Sequence, residues 1–369
     1  MPSLTRRPRR SPSAPRRLPA RIAVDLALQG GGSHGAFTWG VLDRLLEDDT
    51  LDIDGISGTS AGALNAAVLA TGLAEGGRAG ARAALQAFWR DVAGAAGCFG
   101  TPTATAGESR HAWGDFAAFN LDWHPAYLWF KELTRAFSPV QLNPFGIDPL
   151  RAVVQRHVRP ESIARGALRL FVTATAVRSG RPRVFDRGEV TIDALLASAC
   201  LPQLFRAVTI DGEPYWDGGY SGNPALWPLI YHTDALDIVL VKVNPLVRPE
   251  LPDSAAEIAD RVNEITFNAG LIGELRAIGF VHKLFREDRL DPGKYKNLRL
   301  HMVAEERVLG RLRPSSKMNT DRRFLLELHA LGRAAADGWW REHRRQLGRR
   351  STLDLRGTFL DPPAKSATP

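Results

Sequence analysis

Three stretches of the 369-residue chain hold residue types that can do nucleophilic chemistry. Ser60 stands in Gly58-Thr59-Ser60-Ala61-Gly62, Asp217 heads Asp217-Gly218-Gly219, and Gly30-Gly31-Gly32-Ser33-His34-Gly35 follows an apolar run. A serine hydroxyl is a weak nucleophile until a base takes its proton. Glycines on both sides of Ser60 allow the sharp, strained turn that lifts a hydroxyl clear of a sheet. Gly30, Gly31 and Gly32 offer backbone N–H groups unobstructed by Cβ atoms, which suits a developing oxyanion. One such donor is worth about 2.7–4 kcal/mol of barrier. Asp217 is the acidic residue presented as a base would be, at a strand end before two glycines. The histidines other than His34 stand in helical, strand or cap settings, which leaves a histidine-dependent triad without a loop-borne base.

The elements around these stretches supply the positioning. The apolar runs 22–28 and 51–56 have the length of buried strands, and each enters a small-residue turn followed by a helical pattern. Two consecutive strand–turn–helix units place both turns at one edge of a parallel sheet, where ligands bind in open α/β folds. A helix over 61–72 points the positive end of its dipole at Ser60. Further strands are expected at 168–177, 208–210, 213–216, 237–243 and 298–303. Further helices are expected at 76–95, 149–157, 192–199, 255–285 and 319–347. Strands alternating with helices predict an α/β layered domain.

Composition narrows the class. A hydrophobic content of 44% fits a globular chain, and Cys98 and Cys200 have neither metal-ligand nor disulfide-framework spacing. No apolar run approaches the roughly 18 residues of a membrane span. No apolar segment of secretory type follows the basic N-terminus. The expected location is cytoplasmic, with peripheral contact at a membrane as an extension of it. The net charge of +8 comes mostly from seven arginines in residues 1–21, where no acidic residue stands. That stretch is rich in Arg, Pro and Ser and is expected to be a disordered tail, either solvated with no dedicated partner or able to touch anionic lipid or nucleic acid electrostatically. The domain itself carries no nucleic-acid footprint. Over 98–146 aromatics accumulate, among them Trp113, Trp123, Tyr127, Trp129, Phe130 and Phe145. They are read as a cap that lines an acyl pocket or meets a membrane interface, or as an insertion with its own core.

With Ser198-Ala199-Cys200-Leu201-Pro202 and Asp217-Gly218-Gly219-Tyr220-Ser221-Gly222-Asn223-Pro224 added, four motifs stand in one order over residues 22–347. In that order the chain resembles the patatin-like phospholipases and acyl hydrolases. The resemblance implies a three-layer αβα sandwich around a mostly parallel sheet, and a Ser–Asp dyad that hydrolyses lipid acyl esters with no metal or cofactor. It makes Ser60 the nucleophile, Asp217 the base and the backbone of Gly30, Gly31 and Gly32 the oxyanion hole. Gly35, Gly58, Gly62, Gly218 and Gly219 support the motifs, and residues 348–369 form a tail. His34 departs from the pattern, because the family usually carries Arg or Lys there. An unperturbed histidine titrates near ~6.5, so a His34 that meets substrate is expected to lose a positive charge between about pH 6 and pH 8 while Asp217 stays ionised; the other reading is that His34 only hydrogen-bonds within the loop and never meets substrate.

Three other readings remain open on the residues alone. The spacing Gly30-x-Gly32-x-x-Gly35 also fits a dinucleotide fingerprint, with Asp52 and Asp54 downstream, but leaves Ser60 and Asp217 unused. An α/β-hydrolase with a Ser–Asp–His triad would need a histidine loop after Asp217. A non-catalytic membrane-surface or interaction protein could keep the fold, and labelling of Ser60 by a fluorophosphonate separates it from the enzyme.

Overall fold

The computed structural model describes residues 21–95, 116–248 and 250–361. The expected tail over residues 1–20 and the first part of the aromatic stretch, Trp113 included, lie outside the described residues. The chain runs β1 (Ile22–Leu28), α1 (Gly35–Leu45), β2 (Leu51–Thr59), α2 (Ala61–Ala95), α3 (Pro125–Ala136), α4 (Pro139–Leu142), α5 (Pro149–His157) and α6 (Pro160–Arg165). It continues through β3 (Arg169–Ala176), β4 (Pro182–Asp186), α7 (Ile192–Ser198), β5 (Val208–Ile210), β6 (Glu213–Asp217) and α8 (Trp227–His232). The last elements are β7 (Asp237–Val241), α9 (Ala255–Arg286), β8 (Arg299–Val303), α10 (Glu306–Leu309) and α11 (Arg322–His343).

Five strands, in the spatial order β3-β2-β1-β7-β8, are parallel. β4 and β6 run antiparallel to β3, and β5 antiparallel to β6. The β5–β6 hairpin turns at Asp211-Gly212, both at positive φ (51° and 79°), which gives the tight turn its hand. Helices cover both faces, so the architecture is a three-layer αβα sandwich of the patatin fold. On one face α1, α2, α7 and α11 bury Phe37, Leu42, Leu69, Phe88, Leu196, Phe324 and Leu328. On the other, α8 and α9 bury Leu229, Leu271, Leu275 and Ile278. A buried strand read on both faces as apolar is what a sheet sandwiched between helices requires.

Two boundaries differ from the sequence reading, each for a physical reason. β2 runs three residues past Ile56, because Ser57, Gly58 and Thr59 pair between β1 and β3 despite weak strand propensity. α2 is two helices across a kink at Gly76 and Gly77, the latter at φ 61°, in agreement with the separate helices expected at 61–72 and 76–95. The stretch from residue 348, expected as a tail, is instead tied to the sheet as far as the described residues go. The Ser351 hydroxyl accepts from Leu300 N–H at 3.0 Å, Thr352 N–H donates to Leu300, and Leu355 and Phe359 are buried. Apolar side chains set among polar ones in that stretch complete the α9 face.

Candidate active site

β3 brings the two chemical groups together. Thr59 pairs with Thr173 and Asp217 pairs with Ala174, so consecutive residues of one strand carry the end of β2 and the end of β6. Ser60 follows directly, at φ 53°, a left-handed conformation that a non-glycine residue adopts only under strain. The strain is held by Ser198: its Oγ accepts from Ser60 N–H at 2.9 Å and donates to the Thr173 carbonyl at 2.6 Å. Ser60 O accepts from Leu64 N–H at 3.0 Å, the first turn of α2, whose N-terminus therefore faces the site. Gly58 and Gly62 serve packing, since a Cβ on either would strike the first turn of α2 or the Leu28 carbonyl.

Asp217 is 1% exposed. Its Oδ1 accepts from Gly219 N–H at 2.7 Å, its own N–H donates to Cys200 O at 2.8 Å, and its carbonyl accepts from Thr175 Oγ1 at 2.8 Å. Oδ2 is buried without a hydrogen bond of regular geometry. Burial pushes the carboxyl pKa up to about 7, against the lowering pull of Gly219 N–H, the Ser60 hydroxyl and Lys317. The carboxylate is thus not the ordinary one expected from the sequence, which assumed full ionisation above pH 6. Gly218 and Gly219 give room: a Cβ there would strike the Thr173 carbonyl or the Phe267 ring.

The glycine loop is braced from three sides. Gly30 N–H donates to Asn223 Oδ1 at 2.6 Å, and the Gly30 carbonyl accepts from Asn244 Nδ2 at 2.7 Å. Gln29 Oε1 accepts from the N–H groups of Val243 and Asn244, each at 3.0 Å. Gly30 therefore does not fit the donor role the sequence assigned it, because its N–H is already committed. Its small size serves another end, since a Cβ would lie 2.6 Å from that of Ser60. Gly31, Gly32 and Ser33 line the same cavity as Ser60, with Gly32 at φ 56° making the turn. Gly35 packs against Ala61 and Trp89.

His34 points away from the cavity. It is 1% exposed, its ring lies edge-on to Phe324, and Nε2 stands 2.8 Å from Ser316 Oγ. Ser316 Oγ donates to Arg313 O at 2.7 Å, so Nε2 carries the proton and Nδ1 is left without a partner. Burial, with the cations of Lys317 and Arg248 nearby, holds its pKa well below the usual histidine range. The expected charge on His34 in mildly acidic solution is corrected accordingly: the imidazole stays neutral.

The cavity has a volume of about 690 Å³. Ser60, Asp217, Gly31 and Gly32 form its floor, and Phe88, Trp89, Val92, Leu204 and Phe205 form apolar wall. The aromatic stretch divides. Tyr127, Phe130, Lys131 and Thr134, at helical spacing on α3, face inward, while Trp123, Leu128 and Trp129 are exposed, Trp129 by 69%. On α9, Ala259, Asp260, Asn263 and Phe267 line the cavity, and Ile258, Val262 and Ile265 are exposed. Lys131 and Asp260 join the two helices at 3.3 Å. Ser198 and Asn223 lay inside motifs already singled out, without a role. Nothing in the sequence marked Asn244 or Lys317.

The family model for patatin-like phospholipases matches residues 26–230. No curated protein gave a match. Among solved structures the chain is similar to VipD from Legionella pneumophila, at 14% identity over 87% of this chain and 67% of that one, with a TM-score of 0.41. It is similar to ExoU in the heterodimeric ExoU–SpcU complex from the type III secretion system of Pseudomonas aeruginosa, at 20% identity over 68% and 51%, TM-score 0.28. It is also similar to the type III effector protein ExoU, at 16% identity over 88% and 53%, TM-score 0.32. The chain spans about half the length of the ExoU chains.

Proposed function

Because the chain belongs to the patatin-like phospholipase family, we propose that it is a serine hydrolase of lipid acyl esters working through Ser60 and Asp217. The observation that carries this reading is the Ser60 hydroxyl beside the buried Asp217 carboxyl in the cavity, where Oδ2 has no hydrogen bond of regular geometry to any other group. A carboxylate whose one free oxygen meets only that hydroxyl can take its proton. A pKa of about 7 suits it to take and return protons near neutrality.

The steps follow from the positions. Ser60 Oγ attacks the ester carbonyl carbon as Asp217 takes its proton. The carbonyl π pair moves onto oxygen, and the N–H groups of Gly31 and Gly32 with the N-terminus of α2 stabilise the oxyanion. Collapse breaks the acyl C–O bond, and Asp217 returns the proton to the leaving alcohol. Water then attacks the acyl-serine, losing its proton to Asp217, and a second collapse frees the carboxylic acid and restores Ser60. The apolar wall takes the acyl chain. The exposed apolar faces of α3 and α9 flank the same cavity and are read as the surface that meets lipid.

Ser60→Ala is expected to abolish both turnover of a chromogenic short-chain ester and labelling by a fluorophosphonate, with the folded protein recovered. Labelling of another serine with turnover intact would overturn the assignment.

A further inference from the structure

Residues 314–320, Pro-Ser-Ser-Lys-Met-Asn-Thr, lie beyond the region the family model matches, yet they close one side of the cavity. The segment is pinned at every turn. Ser315 Oγ accepts from Leu121 N–H at 3.0 Å and donates to Asp122, Ser316 holds His34, and Asn319 Nδ2 donates to Phe119 O at 2.9 Å. A Cβ on Gly32 would lie 2.4 Å from the Lys317 carbonyl, so the segment rests directly on the glycine loop.

Lys317 itself lines the cavity with Ser60 and Asp217. Its ammonium donates to Asn244 Oδ1 at 2.8 Å. An ammonium carries three donors, and this one has no ion pair among the described residues. The other cations near the cavity are engaged: Lys131 with Asp260 at 3.3 Å, Arg135 with Glu132 at 2.7 Å and Arg248 with Glu264 at 2.5 Å. Among the described residues the cavity thus presents one cation without an ion pair, placed at the reacting end and not along the acyl wall, with the carboxylates of Glu264 and Asp217 acting on it from farther off. A group that pairs with it must be an anion close to the scissile ester. A phosphodiester on the neighbouring carbon of the same glycerol has that placement, whereas a fatty-acid carboxylate would meet it only with its chain turned away from the apolar wall.

We propose that Lys317 is the specificity-determining residue of this site, its ammonium taking a phosphate oxygen of the lipid whose acyl ester Ser60 cleaves. This rests on the assignment of Ser60 and Asp217 above. It places the recognition of negative charge on the segment over the glycine loop and not at position 34, whose ring faces the core. Asn244 fixes the ammonium by one bond and leaves the other donors for the ligand.

The test compares Lys317→Met and Lys317→Arg on two micellar substrates with one palmitoyl chain on the central glycerol carbon, 2-palmitoyl lysophosphatidylglycerol and 2-monopalmitoylglycerol, at pH 7. In Lys317→Met the ratio of kcat/KM for the phosphate-bearing substrate to that for the neutral one is expected to fall at least tenfold, mainly through KM. Lys317→Arg is expected to restore the ratio to within about threefold, because a guanidinium also donates to phosphate. Equal losses on both substrates would overturn the proposal and leave Lys317 a brace for the loop. Binding separates this from failure of the catalytic assignment. Calorimetry with lysophosphatidylglycerol on Ser60→Ala, with and without Lys317→Met, must show the same tenfold weakening whichever residue does the chemistry. Unchanged binding there refutes the recognition role.

Discussion

Two aspartates, each 1% exposed, sit at opposite ends of the sheet and behave in opposite ways. Asp237 opens β7 at the amino end of the parallel strands. Its Oδ2 accepts from Arg299 at 2.7 and 2.9 Å, and its Oδ1 accepts from His301 Nε2 and Gly348 N–H, each at 2.9 Å. Burial alone would raise its pKa, but these donors hold it below the usual carboxylate range. Asp217 closes β6 at the carboxyl end, has one regular donor on one oxygen, and rises to about 7. The His301–Asp237 pair has the look of a catalytic couple, yet it lines no part of the cavity and clamps β7 to β8 and the chain beyond α11. The difference teaches that a carboxylate given all its donors is structural, and one left short at a cavity is available for work. The cavity is the deciding half: Asp25, buried in β1, also rises to about 7 with Oδ1 unpartnered, but it bonds Thr233 far from any reacting group.

Exchanging what each aspartate lacks breaks the comparison. Asp217→Asn is expected to lower kcat/KM on a chromogenic ester by about 10²–10⁴-fold, the usual contribution of a general base, with near-normal circular dichroism. Turnover within tenfold of wild type would show that Asp217 is no base. Asp237→Ala is expected to leave turnover per folded molecule intact while lowering unfolding free energy by about 3–5 kcal/mol, because Arg299 and His301 lose a buried partner. Urea titration measures it, and a loss of turnover without loss of stability would reverse the two roles.

The pH dependence sharpens the contrast, because the signs oppose. The folded pKa of Asp217 lies above its unfolded value, so the proton favours the folded state. That stabilisation is complete below about pH 4 and is lost as pH rises through about 7. Asp217→Asn should therefore be more stable than wild type at pH 8, by an amount on the order of 2–4 kcal/mol, with the advantage fading towards pH 4. In wild type, kcat/KM should rise through about pH 7 as the base ionises. Asp237, held low, contributes stability above its unfolded pKa that is lost as pH falls through its folded one. Melting temperatures of both variants from about pH 2 to pH 8 check both signs. The smallest effect is expected at the surface. Trp123→Ala with Trp129→Ala should weaken binding to lipid vesicles several-fold and leave turnover of a monomeric ester unchanged. Equal losses in both would mark the face as part of the fold.

What was legible in the sequence was what neighbouring residues decide. The strand–glycine–helix units around Ser60, the turn at Asp211-Gly212 and the Asp217-Gly218-Gly219 corner are local chemistry, and their elements stand within a few residues of the expected places. His34 was misread because a loop motif says nothing about which way a ring turns once Gly32 takes a positive φ. Gly30 was misread because its N–H partner, Asn223, comes from 193 residues away. Lys317 and Asn244 were invisible for the same reason: their meaning exists only after β7 and the segment before α11 have been packed against the loop. The helix at Pro125–Ala136 is strongly amphipathic and its helical spacing was there to be found, but the aromatic density of the surrounding stretch pointed to a cap or insertion instead.

The contact between Gly32 and the Lys317 carbonyl also sets an order in time. A chain is synthesised from its amino end, and domains acquire their structure as it emerges. Ser60 leaves the ribosome about 250 residues, and Asp217 about a hundred, before the wall that covers the glycine loop. Until that wall arrives, the glycine loop has nothing to rest on, and His34 and Leu121 lack the hydroxyls that hold them. On the proposed function, a lipid-cleaving centre arranged in this way is complete only after residues 314–320 have been made.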